Sequence, residues 1–330
     1  MLKTITEYNK YRRVPITGFE VPTSTPEFPM RHEENQYLNL IEDILSDGIK
    51  EEGRNGTTFV AIGAAMHFSL NNRRVPFLTT KRLAWKTCLK ELLWFIRGHT
   101  DNALLQAQNV HIWDGNASRE FLDSRGLTDR AEGDLGPVYG FQWRNFGGEY
   151  PANANANANA NANDNANCKK GVDQLQAVID ALKDPDQRTS RRLIISAWNP
   201  CQLDEMALPP CHVLMQFHVT DGTKLSCSLY QRSGDVGLGV PFNIASYSML
   251  THLLAHHCDL DAHEFIYHLG NAHIYDDHVE ALKQQLKREP HEFPQIAIRA
   301  LHEDIGKYEL GDFEVQRYEC HDAIPMTMRQ

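Results

Sequence analysis

The sequence predicts an α+β fold: a single domain around a large mixed β-sheet with flanking helices. Three observations predict it. Helical stripes and β-rich runs are interspersed without the regular βαβ alternation of a parallel α/β protein. Val213–Thr220 and Lys224–Tyr230 flank Asp221-Gly222, a hairpin signal that implies an antiparallel pair. A chain of 330 residues with 42% hydrophobic content is long enough to bury one sizeable core.

Taken in order, residues 1–33 carry prolines at 15, 22, 26 and 29 and no sustained periodicity, so they read as an irregular arm before a folded domain over residues 34–330. Tyr37, Leu38, Ile41, Ile44 and Leu45 have helical spacing, with Gly48 as the stop. Phe59–Leu70 reads as strand. Trp85, Leu89, Leu92 and Ile96 form a second helical stripe ending at Gly98. Residues 152–167 repeat Ala-Asn dyads; Asn disfavours helix and strand interiors and Ala offers little to bury, so this tract is a solvated spacer loop. Arg192–Trp198 is β-rich. After the hairpin, Phe242–His257 is an apolar helix following Pro241, Glu264–Tyr275 is strand and Asp276–Arg288 helix. Ile296–Ala300 and Phe313–Tyr318 are late strands.

The net charge of −10 argues against a protein that coats nucleic acid or an anionic membrane through its overall field. An anionic substrate therefore needs a local arginine cluster. Seven scattered cysteines without a CxxC pair fit reduced thiols and a cytoplasmic location, with a nuclear or organellar pool left open by the slightly basic start of the chain. No run of eighteen apolar residues marks a membrane span, and no membrane partner is expected.

Of these cysteines, Cys211 stands apart. It sits in Pro209-Pro210-Cys211-His212, and the hairpin that follows can return Arg232 to its side. A free thiol is only slightly ionised near neutrality, and a neighbouring cation raises its thiolate fraction. The other six read as small buried hydrophobes. His252 and His256 at i, i+4, followed by His257 and Cys258, lack the glutamate or CxxC partner of a zinc site, so a helix face satisfied by its neighbours or by water is expected and no metal.

Met206-Ala-Leu-Pro-Pro-Cys211-His212 resembles the nucleophile motif of the thymidylate synthase family. Gln231-Arg-Ser-Gly-Asp-Val-Gly-Leu-Gly-Val-Pro-Phe-Asn243-Ile-Ala-Ser-Tyr247 is similar to its longest signature, in the animal-like form. Gly133-Asp-Leu-Gly-Pro-Val-Tyr139-Gly, Thr79-Thr-Lys81-Arg82, Glu91-Leu-Leu-Trp-Phe, Ile112-Trp113-Asp114 and Ala272-His273-Ile-Tyr275 also match, and the likeness covers about residues 34–326.

The resemblance implies methylation of dUMP to dTMP, with 5,10-methylenetetrahydrofolate as both carbon donor and reductant; no nicotinamide is implied. Cys211 would add to C6 of the uracil and make C5 nucleophilic. Glu91, through water, and Asn243 would stabilise charge on the ring oxygen, and Tyr139 would assist removal of the C5 proton. Arg54, Arg191, Arg192, Arg232 and Ser233 would hold the phosphate, because the guanidinium fork fits it bidentately. His212, Gln231 and Asn243 would line the base, and His273 and Tyr275 the deoxyribose hydroxyl. Lys81, Ile112, Trp113, Asp235, Leu238, Gly239, Phe242 and Met328 would meet the folate, with Asp235 also counted as catalytic. In the family Arg191 and Arg192 come from the other subunit, so an obligate homodimer is implied.

Four places depart from the family pattern. The Glu52-Gly-Arg54-Asn-Gly-Thr-Thr loop is short and irregular, Arg188-Thr-Ser precedes the arginine pair, Asn271 replaces an aspartate, and the chain ends Met326-Thr-Met-Arg-Gln330. The rival enzyme reading is a deoxypyrimidine-monophosphate hydroxymethylase on the same fold, whose dCMP-specific members tend to carry Asp at the position of Asn243. A regulatory RNA-binding protein is the rival of a different class; no basic stripe supports it as the main role, and secondary RNA binding stays open.

Overall fold

A computed structural model describes residues 32–53, 55–151 and 170–329, so most of the N-terminal arm, Arg54, the Ala-Asn tract and Cys168 lie outside the described residues. The expected mixed sheet is present. It has six strands, β1 (Ile49–Gly53), β2 (Gly56–Ser69), β3 (Ile194–Ser196), β4 (His212–Thr220), β5 (Lys224–Asp235) and β6 (Asp261–Tyr275), in the order β1-β2-β6-β5-β4-β3. β5 and β6 run parallel and every other pair antiparallel. Two late strands, β7 (Gln295–Ile298) and β8 (Phe313–Gln316), form a separate antiparallel pair, and Gln295 also bridges to Arg74.

Local chemistry explains the elements on which the site depends. Helix α1 (Asn35–Asp47) buries Tyr37, Leu38, Leu40, Ile41 and Ile44. It stops at Gly48, where a Cβ would lie 2.3 Å from the Ile44 carbonyl oxygen. Helix α2 (Trp85–Ile96) presents Glu91 on a largely buried surface and ends at Gly98, whose φ of +76° is left-handed. Between β4 and β5, Asp221 and Gly222 both take positive φ, 46° and 78°, as a tight hairpin requires.

Short helices α3 (Ala103–Gln106), α4 (Asp114–Ala117), α5 (Arg119–Ser124) and α6 (Tyr139–Asn145), with α7 (Gln174–Lys183), fill the connections and were not expected. Helix α8 (Gly239–His257) begins two residues before Pro241, which is tolerated in the first turn, and is buried almost all round as the central helix. The helix expected over 276–288 is shorter: a 3₁₀ turn Asp276–His278 leads into α9 (Val279–Gln285). Among the described residues no helix is long and apolar enough to cross a membrane.

One sheet face carries the core, with Phe217, Cys227, Leu229, Phe265, Tyr267 and Phe68 buried. The opposite face leaves Ile62, Ile194 and Tyr230 exposed.

Glu34, at the head of α1, is wholly buried. Its carboxylate accepts four hydrogen bonds, from the amides of Thr79 and Thr80 at 2.9 Å and from both hydroxyls at 2.6 Å. It thereby fixes the loop that delivers Lys81. Glu34→Ala should strand four buried donors and cost about 3 kcal/mol or more of stability, read by urea unfolding. A loss under about 1 kcal/mol would contradict this role.

Candidate active site

The β4–β5 hairpin builds the centre. Cys211 immediately precedes β4, and the Arg232 amide on β5 donates to the Cys211 carbonyl at 2.9 Å. The Arg232 guanidinium donates to the carbonyls of Pro210 and Pro209, both at 2.9 Å, and lies over the Trp198 ring. The Pro-Pro-Cys turn and Arg232 therefore hold each other in place. From α6, Tyr139 accepts the Cys211 amide on its phenol oxygen at 2.8 Å.

The thiol is half-buried, and burial pushes its pKa up although Arg232 and Tyr139 pull it down. The expected cation is in place: Arg232 favours the thiolate, while burial opposes it. Cys88, Cys227 and Cys258 fit the buried reading, and burial lifts Cys227 to about 12 and Cys258 to about 11. Cys201 is exposed and Cys320 half-buried, so the buried reading fails for those two.

Two further groups lie around Tyr139. Glu91 is buried and accepts from the Trp113 indole at 2.7 Å. Burial lifts its pKa to about 7, against the opposing effect of that bond, so it can hold or release a proton near neutrality. His212 packs its ring 5.1 Å from both Tyr139 and Tyr247. Burial drops its pKa to about 4, so it is neutral, and its Nδ1 makes no hydrogen bond.

Asn243, buried on α8, lies beside Gly239 and close to Asp235: a methyl on Gly239 would sit 3.9 Å from Asn243 Oδ1 and 3.8 Å from Asp235 Cβ. Gln231 pairs with His212 across the hairpin and accepts from the Tyr267 hydroxyl at 2.5 Å.

A cavity of about 380 Å³ opens beside this centre, lined by Arg232, Ser233, Asn271, His273 and Tyr275 and by Gly53, Asn55, Gly56 and Thr58 of the β1–β2 hairpin. Asn271, His273 and Tyr275 alternate along β6, so they share one face. The Asn271 Oδ1 lies 3.0 Å from His273 Nδ1, so the amide keeps the acceptor an aspartate would supply there. Arg54 follows Gly53 in the sequence and lies outside the described residues. Arg191 and Arg192 are exposed beside the edge strand β3 and do not line this cavity.

Of the residues expected to meet a folate, Asp235 and Lys81 converge on Gly237. The Asp235 carboxylate accepts the Gly237 amide at 2.8 Å, and the buried Lys81 ammonium donates to the Gly237 carbonyl. Burial lowers the Lys81 pKa to about 8, with Asp235 and Glu34 supporting the charge. Trp113 is buried, Ile112, Leu238 and Phe242 are half-buried, and Met328 is exposed. A carboxylate beside half-buried apolar side chains is chemically suited to a flat, hydrogen-bonding heterocycle.

Elsewhere, His252 and His256 place Nε2 at 2.8 and 2.7 Å from the carbonyls of Arg74 and Ala300, so those ring nitrogens are engaged by the main chain.

A family model described as thymidylate synthase matches residues 35–330. A bifunctional dihydrofolate reductase-thymidylate synthase of Leishmania major is 51% identical over 303 residues, spanning 91% of this chain and 56% of that protein. A protein of the same description from Zea mays is 50% identical over 300 residues, 90% of this chain and 55% of its own. Thymidylate synthase 1/2 of Encephalitozoon cuniculi is 48% identical over 301 residues, 90% of this chain and 98% of its own. The chain spans little more than half the length of the bifunctional relatives it matches.

Proposed function

The chain belongs to the thymidylate synthase family, and we propose that it converts dUMP to dTMP with 5,10-methylenetetrahydrofolate, releasing dihydrofolate. The observation that carries the proposal is the convergence of Cys211, Tyr139 and Arg232 in one hydrogen-bonded unit at the mouth of an arginine-bearing cavity.

In this reading the phosphate lies against Arg232 and Ser233, with Arg54 as a further expected contact. His273 and Tyr275 take the deoxyribose hydroxyl. Cys211 Sγ adds to C6 of the uracil, and Asn243 holds O4 and N3–H where the negative charge develops. Glu91, balanced near neutrality, supplies and accepts a proton through water, and Tyr139 assists departure of the C5 proton. The folate supplies both the carbon and the hydride. Asp235 would bind its pterin nitrogens, with Lys81, Gly239 and Met328 at its edges, and Trp113, Phe242, Ile112 and Leu238 would exclude water around it.

The enzyme is further proposed to be a cytoplasmic homodimer. The exposed Ile62, Ile194 and Tyr230 leave one sheet face for a second copy to cover, and Arg191 and Arg192 stand beside that sheet's edge strand.

Product identity tests the proposal. Purified enzyme given equal dUMP and dCMP should yield dTMP alone. Asn243→Asp should reverse the preference by about ten- to a hundredfold, because a mismatched buried polar pair costs about 1–3 kcal/mol. An unchanged preference in a folded variant would count against Asn243 as the reader of the base.

A further inference from the structure

We propose that His278 is a positioning residue that ties the docked C-terminal segment to the orientation of Asp235, and through it to folate binding. The inference rests on the reading of the site given above. His278 closes the 3₁₀ turn after β6, and its imidazole is fully buried. Its Nε2 lies 2.7 Å from the Thr327 carbonyl oxygen. A carbonyl only accepts, so Nε2 carries a proton and donates it to the tail.

The other nitrogen faces Asp235. Nδ1 is 3.6 Å from Asp235 Oδ1 and, though buried, has no hydrogen-bond partner. A buried ring nitrogen left in this way, aimed at a carboxylate, is a bond waiting for a small approach. The junction is tight: a methyl on Gly237 would lie 2.7 Å from Nδ1 and 3.2 Å from both Asp235 Oδ1 and the Met326 sulfur. One ring thus touches, or nearly touches, the end of β5, the loop that Lys81 grips, and the tail.

The surrounding charges favour the doubly protonated ring. Asp235 faces Nδ1, and Asp277 Oδ1 lies 3.9 Å from Nε2. Arg329 from the tail pairs with Asp277 at 2.9 Å, Lys81 donates to the Gly237 carbonyl, and His273 and the Tyr275 ring lie on the β6 side. Burial disfavours the charge, but Asp235, the Thr327 carbonyl and Asp277 together raise the His278 pKa above its ordinary value. With both nitrogens protonated the ring donates to the tail on one side and to Asp235 on the other. With a raised pKa the link is complete at low pH and weakens as pH rises through it.

The test compares the parent with His278→Ala and His278→Gln, each with and without residues 327–330. Readouts are KM for methylenetetrahydrofolate, KM for dUMP, and deuterium uptake by residues 324–329. His278→Ala should raise the folate KM about tenfold, leave the dUMP KM within about twofold, and increase tail uptake. Removing residues 327–330 should by itself raise the folate KM about as much, with the dUMP KM little changed, and add little to His278→Ala, because both cut one connection. His278→Gln keeps a donor for Thr327 but cannot titrate, so its folate KM should lose the parent's rise as pH climbs through the raised His278 pKa.

Fully multiplicative effects of the two changes, or a folate KM within about twofold of the parent in folded His278→Ala, overturn the inference. So does an unchanged pH profile in His278→Gln, which decides alone if the alanine variant does not fold. If the parent forms no dihydrofolate, it is the proposed function that fails, and tail uptake in the ligand-free chain still reads the link between His278 and Thr327.

Discussion

Replacing Cys211 by serine should abolish turnover, by at least about a thousandfold, while leaving the fold and dUMP binding intact. The serine hydroxyl fits the space and can keep the main-chain bonds to Tyr139 and Arg232, since those use the Cys211 amide and carbonyl. What it lacks is acidity. Burial already opposes ionisation of the thiol here, and a hydroxyl gives up its proton far less readily than a thiol. Calorimetry with dUMP and a steady-state assay check both halves. Activity within about tenfold of the parent would remove Cys211 from the nucleophile's role.

Mixing two inactive chains should restore activity if the phosphate site is shared. Cys211→Ser lacks the nucleophile and Arg192→Glu repels the phosphate, at a cost of several kcal/mol. In a heterodimer one site carries both defects, while the other joins an intact Cys211 to an intact borrowed arginine. Recovery up to about one working site per heterodimer is expected after subunit exchange. The single subunit already motivates this: Arg191 and Arg192 are exposed and away from the cavity that Arg232 lines. Confirmed heterodimers that stay silent would mean that the arginines serve their own subunit.

What could be read in the chain follows the range of the forces involved. The Asp221-Gly222 turn, the Gly48 and Gly98 stops and the stripes of α1 and α2 are local, and local conformational preference carried them into the structure. Strand β1 was missed because all five residues are exposed and show no alternation. Helix α6 was missed because seven residues give too few turns for a period, and it carries Tyr139. Helix α7 did offer a signal, an Asp173 cap before Leu175, Val178, Ile179 and Leu182, that went unread.

In the site, motif resemblance supplied the residue names and the fold supplied their relations. Glu34 meets Thr79 and Thr80 across about forty-five positions of chain, and His278 meets Thr327 across forty-nine, so neither contact leaves a local trace. The Cys211 proton balance was likewise hidden: a sequence can place a cation near a thiol, but it does not weigh that cation against burial.

The most direct measurement is the stoichiometry of product formation by the purified chain. Given dUMP and 5,10-methylenetetrahydrofolate with no added nicotinamide, it should form one dihydrofolate for each dTMP, since the folate gives both carbon and hydride. Formation of a hydroxymethylated nucleotide with tetrahydrofolate released, or no product from the folded protein, would contradict the proposed reaction.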